Sequence, residues 1–405
     1  MFTRTWCVAA LLIVSVPAAS QTVLPEAEAI ARLSADSPRA RAIRAGIDVA
    51  RAEALGATHY PNPRLAVDRE AVAGVGETLI TVLQPLPITG RRSLERESAL
   101  AVADAASQRA DDDVRRLRAE LRLAYAELAA AQVREREMVR SAERLAELTR
   151  ILTRREAAGD SAGFDRLRAE REALDVEADR GTAVADRARA QARLGGFFAS
   201  GTDPSTLVAA DLPAGARDVP PVDALVEQAG RTRGQLLAFQ KDLEAARLSG
   251  RAADRRRIPE PEVLAGTKSS NAAGGDVGSV IGVQATLPIF DRGDPERAVA
   301  QARASQAQAQ LEAFRVVLRA DIAAARAAAV ERRRAAEAYR ASALTNSGEV
   351  ERIAQVSYDA GERGILELLD AYRTSSSARV RQAALDAAAR DAEIELEYVS
   401  GWEIR

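Results

Sequence analysis

Apolar residues recur along the chain at alternating three- and four-residue steps, the spacing of long helices that pack side by side. The clearest series is interrupted at Glu135 and Thr149. Its members are Val114, Leu117, Leu121, Ala124, Leu128, Ala131, Met138, Ala142, Leu145 and Leu152. Arg and Glu occupy the remaining faces, so we expect narrow packing seams and broad solvated surfaces. A helix over 92–157 would be roughly 100 Å long at 1.5 Å per residue.

Two segments, 78–90 and 277–290, carry no charged residue. Each follows another candidate strand across a glycine-containing loop, which predicts β-hairpins over 64–88 and 262–290. Their strands have the roughly 9–11 residues of a membrane-spanning strand, but apolar and polar residues alternate only in part. The pattern therefore leaves open a membrane sheet and ordinary strands of a soluble helical protein. Four strands cannot close a barrel and lipid excludes an open sheet edge, so a membrane location would require several chains to share one barrel.

The chain contains an internal repeat. Residues 86–104 and 287–305 align without gaps and share the start Leu-Pro-Ile, and the pair Ala158-Gly159 recurs as Ala360-Gly361. Such self-similarity indicates duplication of a structural unit. We therefore expect each half to have the same plan: a first helix, a hairpin, a long helix, a glycine-containing turn and a second long helix.

The repeat also predicts domain boundaries. Residues 21–198 form the first repeat, with an initial helix over about 26–57 and a turn near 159. Residues 222–405 form the second, with an initial helix over about 221–256 and a turn near 361. The segment between them, 199–221, is rich in Gly and Pro, which break helices, and is predicted to be a linker.

The N-terminus has the features of an exported protein. Arg4 precedes an apolar run over 6–16, and small residues follow up to Ser20, so residues 1–20 are predicted to be a signal peptide. The only cysteine, Cys7, lies inside that run. The mature chain would then have no disulfide, thiolate metal site or cysteine nucleophile.

The composition does not favour an enzyme. His59 is the only histidine, there is no Walker sequence, and Gly74-Val75-Gly76 lacks the third glycine of a dinucleotide loop. Met138 would be the only methionine after export, so ligands for soft metals are scarce. With 57 basic and 59 acidic residues, the charge indicates no nucleic-acid partner. We predict no catalytic residue, no cofactor and no metal site.

Three segments resemble one known family. They are Gln84-Pro85-Leu86-Pro87 through Gly90-Arg91-Arg92, then Leu287-Pro288-Ile289-Phe290-Asp291-Arg292-Gly293, and Tyr358-Asp359-Ala360-Gly361 through Leu368-Leu369-Asp370-Ala371-Tyr372-Arg373. In this order, with the duplication, they resemble the TolC-type outer-membrane efflux proteins, and within them the cobalt-zinc-cadmium resistance branch. The likeness covers essentially the whole mature chain.

This resemblance implies a mainly α fold with a small membrane β-barrel. Three identical chains would each contribute four strands to a twelve-stranded outer-membrane barrel, and long antiparallel coiled-coil helices to a periplasmic α-barrel. The implied function is that of a passive exit duct in a tripartite system, with a periplasmic adaptor (membrane fusion protein) and an inner-membrane pump of the RND type as partners. Heavy-metal cations would be a cargo selected by the pump.

The resemblance also implies roles for particular residues. Glu367 and Asp370 correspond to an acidic constriction, and their i, i+3 spacing places both carboxylates on one helical face. Tyr358 and Arg363 correspond to latch residues that would face Asp165. The implied adaptor contacts are the two turns, formed by Ala158, Gly159, Asp160, Ala360, Gly361 and Glu362. On spacing alone, such charges are also typical of solvated helix faces in a chain with 29% charged residues.

Two other interpretations remain open at the level of sequence. The duct could serve drug export or type I protein secretion, because no residue pattern specifies the cargo. Alternatively, the chain could be a soluble periplasmic coiled-coil adaptor or scaffold protein, with the uncharged strands in a soluble domain.

Overall fold

The computed structural model describes residues 23–159, 163–215 and 218–403. The predicted signal peptide, 1–20, and the turn residue Asp160 lie outside these ranges. The helices are α1 (Glu26–Asp36), α2 (Pro38–Thr58), α3 (Arg91–Ala157), α4 (Gly163–Gly195), α5 (Val222–Thr232), α6 (Gly234–Arg255), α7 (Asp294–Tyr339), α8 (Thr345–Asp359) and α9 (Ile365–Ser400). The strands are β1 (Val23–Leu24), β2 (Arg64–Val72), β3 (Val75–Pro85), β4 (Val208–Ala209), β5 (Pro261–Ser270) and β6 (Asp276–Ala285).

The initial helix of each half is broken in two, so the single helices expected over 26–57 and 221–256 are wrong. In the first half, Ser37 is extended and Pro38 begins α2, because the residue before a proline disfavours the helical conformation. In the second half, the break falls at Arg233, which is also extended. At the next position, Gly234, a Cβ would overlap the carbonyl oxygen of Gln108 on α3. Close docking of α6 on α3 therefore requires glycine there.

The repeated Leu-Pro-Ile sequence makes the same turn in both halves. The amide of Ile88 donates to the carbonyl of Leu86 at 2.9 Å, and that of Ile289 to Leu287 at 2.9 Å. Each turn leads to a glycine with positive φ, and a long helix begins at the next residue. In the first half this helix, α3, is continuous over 67 residues, about 100 Å. In the second half, a π-helical turn over Arg340–Leu344 separates α7 from α8.

Strands β2, β3, β5 and β6 form one antiparallel sheet in the order β2-β3-β5-β6. Their register places two different faces on the sheet. The first face is exposed and apolar except for Arg69 near the hairpin tip; its large apolar side chains are Leu65, Val67, Ile80, Val82, Val277, Ile281 and Val283. The second face carries the charged side chains Arg64, Asp68, Glu70, Glu77, Glu262 and Lys268. Among the described residues, the outer edges of β2 and β6 have no strand partner.

The segment between the halves packs against the long helices. Strand β4 pairs in parallel with β1, and Gln132 on α3 donates to and accepts from the backbone of Ala209. The hydroxyl of Tyr125 donates to the carbonyl of Leu24 at 2.7 Å. No helix within the described ranges combines the length and apolar character needed to cross a membrane.

Candidate functional site at the helix tips

The long helices end in two turns at the same end of the bundle. Helix α3 ends at Ala157 and α8 at Asp359, and each is followed by alanine and then by a glycine with positive φ. At the second turn, the amide of Gly361 donates to Tyr358 and that of Glu362 to Ser357, the hydrogen-bond pattern that closes a helix C-terminus. A glycine adopts this left-handed conformation without steric strain, which explains the repeated Ala-Gly pair.

The predicted adaptor contacts lie at these turns. Their described members, Ala158, Gly159, Ala360, Gly361 and Glu362, are all exposed. The turns are therefore accessible in the single chain.

Side chains from four helices form a compact core just above the turns. This tip core consists of Leu145, Leu148 and Leu152 from α3, Ala169 from α4, Ala354 and Tyr358 from α8, and Ile365, Leu368, Leu369 and Ala371 from α9. Leu145 and Leu152 belong to the apolar series that predicted α3, whereas Leu148 does not. The core thus fixes the orientation of the first turns of α9, where the predicted gate residues lie.

Glu367 and Asp370 are exposed on the first turns of α9. The neighbouring Leu368 and Leu369 point into the tip core, so packing turns the two carboxylates to the opposite side. Neither carboxylate forms an ion pair within the described part of the chain. The helix therefore presents two adjacent negative charges to solvent.

Tyr358 and Asp165, two of the predicted latch residues, lie near each other. Tyr358 is buried, and the guanidinium of Arg155 lies 5.6 Å from its ring centroid. Burial raises the pKa of the Tyr358 phenol, and Asp165 adds to this while Arg155 opposes it. The third predicted latch residue, Arg363, is exposed and has no ion-pair partner in the described ranges. Sequence reasoning did not identify Arg155 as a neighbour of Tyr358. The position of Arg155 in the last turn of α3 could have indicated it.

Several ion pairs that sequence reasoning did not assign connect the helices above the tip core. Glu351 on α8 binds Arg144 of α3 and Arg379 of α9, and Arg379 also approaches Glu137 at 3.4 Å. Arg373 on α9 pairs with Glu172 on α4. Within the described residues, no group of three or more His, Cys, Asp or Glu side chains is arranged to hold a metal ion.

Paired long helices with exposed tips, joined at their other end to a sheet with one apolar face, define a channel-type outer-membrane architecture. The sequence profile of the outer membrane efflux protein family matches residues 225–401. The chain is 26% identical over 329 residues to the cobalt-zinc-cadmium resistance protein CzcC of Cupriavidus metallidurans, covering 79% of this chain and 76% of that one.

Solved structures share the fold over nearly the whole length. The outer-membrane channel OprN superposes with a TM-score of 0.77 at 20% identity, covering 93% of this chain and 89% of that one. For CusC, the TM-score is 0.73 at 17% identity, with 93% and 92% covered. For the open state of the MtrE outer membrane channel of Neisseria gonorrhoeae, it is 0.73 at 20% identity, with 93% and 88% covered.

The family model thus matches the second half of the chain, and the fold of solved outer-membrane channels extends over 93% of the chain. The chain is an outer-membrane efflux channel with a large periplasmic helical part. This confirms the fold class, location and general function that the sequence resemblance predicted. The relatives are channels and not enzymes.

Proposed function

We propose that three copies of this chain form one passive exit duct, gated at the helix tips by Glu367 and Asp370. The observation that carries the proposal is the four-stranded sheet with unlike faces and two open edges. Lipid excludes unpaired backbone groups, so each open edge needs a partner strand. Pairing β6 of one copy with β2 of the next satisfies both edges. Three chains with four strands each then give a closed barrel of twelve strands.

The two faces of the sheet fit this arrangement. Apolar side chains cover one face except at Arg69, close to the tip of the first hairpin, whereas charged pairs such as Arg64–Glu262 and Lys268–Glu77 lie on the other. The charged face then lines the water-filled interior. Below the barrel, the long helices of the three copies surround the periplasmic part of the same passage.

The proposed gate follows from three-fold symmetry. Three copies of Glu367 and Asp370 place six carboxylates around the axis where the helix tips converge. Rings of carboxylates favour cations over anions, as in cation channels. Tyr358, Asp165 and Arg363 would hold neighbouring helices together at this level, with Arg363 available for a partner on an adjacent copy.

The proposed cargo and partners are inferred from the relatives. The similarity to a cobalt-zinc-cadmium resistance protein favours heavy-metal cations as cargo. A periplasmic adaptor would contact the exposed turns, and an RND pump in the inner membrane would supply the energy. The chain itself conducts and catalyses no reaction.

Conductance across a planar lipid bilayer tests the gate. We expect the double variant Glu367→Ala, Asp370→Ala to shift the reversal potential in a salt gradient towards that of a non-selective pore and to weaken block by Co²⁺ added from the periplasmic side. The matched control is Glu227→Ala, Glu244→Ala, which removes the same charge from α5 and α6. An unchanged reversal potential together with unchanged block in the first variant would contradict the assignment.

A further inference from the structure

The apolar face of the four-stranded sheet carries one charged side chain, that of Arg69 on β2. Its neighbours along the chain, Asp68 and Glu70, point to the opposite face, because successive side chains of a strand alternate. The register places no carboxylate of β2, β3, β5 or β6 on the apolar face. Arg69 is exposed and forms no hydrogen bond or ion pair within the described ranges. Its positive charge is therefore uncompensated in the single chain.

Arg69 lies near the outer end of the sheet. It is three residues from the end of β2, which places it about 10 Å from the hairpin tip along the strand. The other end of the sheet leads into the long helices of the periplasmic part. The hairpin tips therefore face the exterior, and Arg69 lies in the outer leaflet. Lipid tolerates an arginine near the interface better than at the midplane, because the long side chain extends to the headgroups.

Polar side chains on two neighbouring strands lie beside Arg69 on the same face. Thr78 on β3 is its direct cross-strand partner, and Ser269 on β5 is in turn the partner of Thr78. Side chains in such positions have Cβ atoms about 5 Å apart. One row nearer the tip, Asn271 Oδ1 accepts a hydrogen bond from the amide of Gly76 at 2.6 Å, which leaves the side-chain NH₂ group as a donor. These side chains form a rim cluster of hydrogen-bond donors, which consists of Arg69, Thr78, Ser269 and Asn271.

The chemistry of the rim cluster fits a phosphate monoester that is carried by a lipid. A guanidinium group binds phosphate through two parallel N–H···O bonds. A monoester has three terminal oxygens and nearly two negative charges at neutral pH, so it can accept hydrogen bonds from Arg69 and from the hydroxyl and amide groups beside it. A diester has one terminal oxygen fewer and less charge. Free phosphate would leave the exposed Val67 and Ile80 below the cluster in water, whereas acyl chains cover them.

We propose that the rim cluster binds the phosphate monoester of a lipid in the outer leaflet of the outer membrane. This inference rests on the proposed function, because the sheet must be inserted in the membrane for its apolar face to contact lipid. The bound phosphate compensates the charge of Arg69 and fixes the height of the sheet relative to the headgroups. Each chain provides one site, so a channel of three chains has three.

Native mass spectrometry of the full-length assembly tests the site, with diphosphoryl lipid A as the probe. We expect lipid A to bind about tenfold more weakly to Arg69→Gln than to the parent, because a charge-assisted contact is lost. Arg69→Lys keeps the charge without the planar fork and should have intermediate affinity. The matched control is Arg64→Gln. Arg64 lies on the same strand but on the opposite face, where it pairs with Glu262, so its replacement should leave the affinity for lipid A unchanged.

Competition distinguishes the possible sources of phosphate. Phosphatidylglycerol, a diester, should bind to the parent more weakly than lipid A does. Inorganic phosphate at the concentration of lipid A should not displace the lipid. Equal binding of phosphatidylglycerol and lipid A contradicts a site for a monoester, and displacement by inorganic phosphate contradicts a site for a lipid.

Thermal stability separates lipid binding from a structural role of Arg69. Lipid A should raise the thermal midpoint of the parent in a neutral detergent, because a ligand stabilises the folded state that binds it, and should leave that of Arg69→Leu unchanged. Without lipid A, Arg69→Leu should be at least as stable as the parent. A lower midpoint of Arg69→Leu without lipid, or equal affinity of the parent and Arg69→Gln for lipid A, contradicts the lipid site alone. A parent that forms no membrane-inserted trimer contradicts the proposed function.

Discussion

The long helices of the two halves span nearly the same number of residues but differ in regularity. In the first half, α3 is helical without interruption. In the second half, the π-helical turn over Arg340–Leu344 inserts one wider turn, where Thr345 Oγ1 donates to the carbonyl of Arg340 at 3.2 Å. Such turns occur as local insertions in α-helices, often at functional sites. The second half therefore has a defined irregular point, and it also carries Glu367 and Asp370.

The two halves also differ in how their helices are tied together. Helices α7 and α9 are joined by Arg333 and Glu393, whose side chains are 7% and 3% exposed. In the first half, Arg193 and Glu127 form an ion pair between α4 and α3, and their side chains are 60% and 39% exposed. The second half is thus fixed at its centre by a buried ion pair and is irregular nearer its tip. In the first half, α3 has no such irregular turn.

The largest expected effect is the difference in stability between two variants. Each variant lacks one residue of the long helix of one half. Removing Glu143 from α3 rotates the following residues by about 100° relative to those before it. Leu145, Leu148 and Leu152 then leave the tip core, so we expect the thermal midpoint to fall by more than about 10 °C. Removing Ala341 from the π turn should convert it to a regular α turn and change the midpoint by less than about 3 °C.

Circular dichroism of the detergent-solubilised proteins measures both midpoints. Equal losses of stability in the two deletion variants would show that the π turn does not absorb the change, and the contrast between the halves would then lose its structural basis.

A second comparison concerns the two interhelical ion pairs. Glu393→Gln leaves the guanidinium groups of Arg333 and Arg390 without their buried carboxylate, which costs about 3–5 kcal/mol of unfolding free energy. Glu127→Gln removes an exposed partner of Arg193 and should cost less than about 1 kcal/mol. Denaturant unfolding at constant pH checks both values. Similar costs at the two positions would contradict the difference in burial.

Sequence reasoning reached the regular parts of this fold because they repeat. The apolar series and the uncharged segments predicted α3 and the hairpins, and β2 begins at Arg64, the first residue of the expected hairpin. The two breaks in the initial helices were not predicted. Pro38 is a local sequence signal for the first break. The break at Arg233 depends on the approach of Gly234 to Gln108, a contact between residues distant in sequence.

The ion pairs were still harder to predict. With 57 basic and 59 acidic residues, spacing cannot select Glu172 as the partner of Arg373, because the two residues lie on helices from different halves. Their pairing depends on the three-dimensional packing of α3 between α4 and α9. The i, i+3 spacing of Asp370 and Arg373 was the one local signal that could have drawn attention to Arg373.

The smallest expected effect concerns Asp391 on α9. Replacing this aspartate should raise stability, whereas replacing an aspartate of the first half should lower it. Burial raises the pKa of Asp391 to about 6, with Arg332 and Arg193 opposing and Glu127 adding to the shift. Between pH 3.8 and about 6, the Asp391 carboxyl of the folded protein keeps a proton that the unfolded chain releases. The contribution of this carboxyl to stability is therefore lost as the pH rises from 3.8 to about 6.

Asp391→Asn should therefore raise the unfolding free energy at pH 7.5 by about 1–2 kcal/mol, allowing for solvent screening, and the gain should vanish near pH 4. In the first half, Asp186 accepts hydrogen bonds from Arg134 and Arg189, so Asp186→Asn should cost about 0.2–1 kcal/mol at pH 7.5. Thermal midpoints of the parent and both variants across this pH range decide the matter. A pH-independent difference between Asp391→Asn and the parent would exclude Asp391 as the group responsible, because only its ionisation links the substitution to pH.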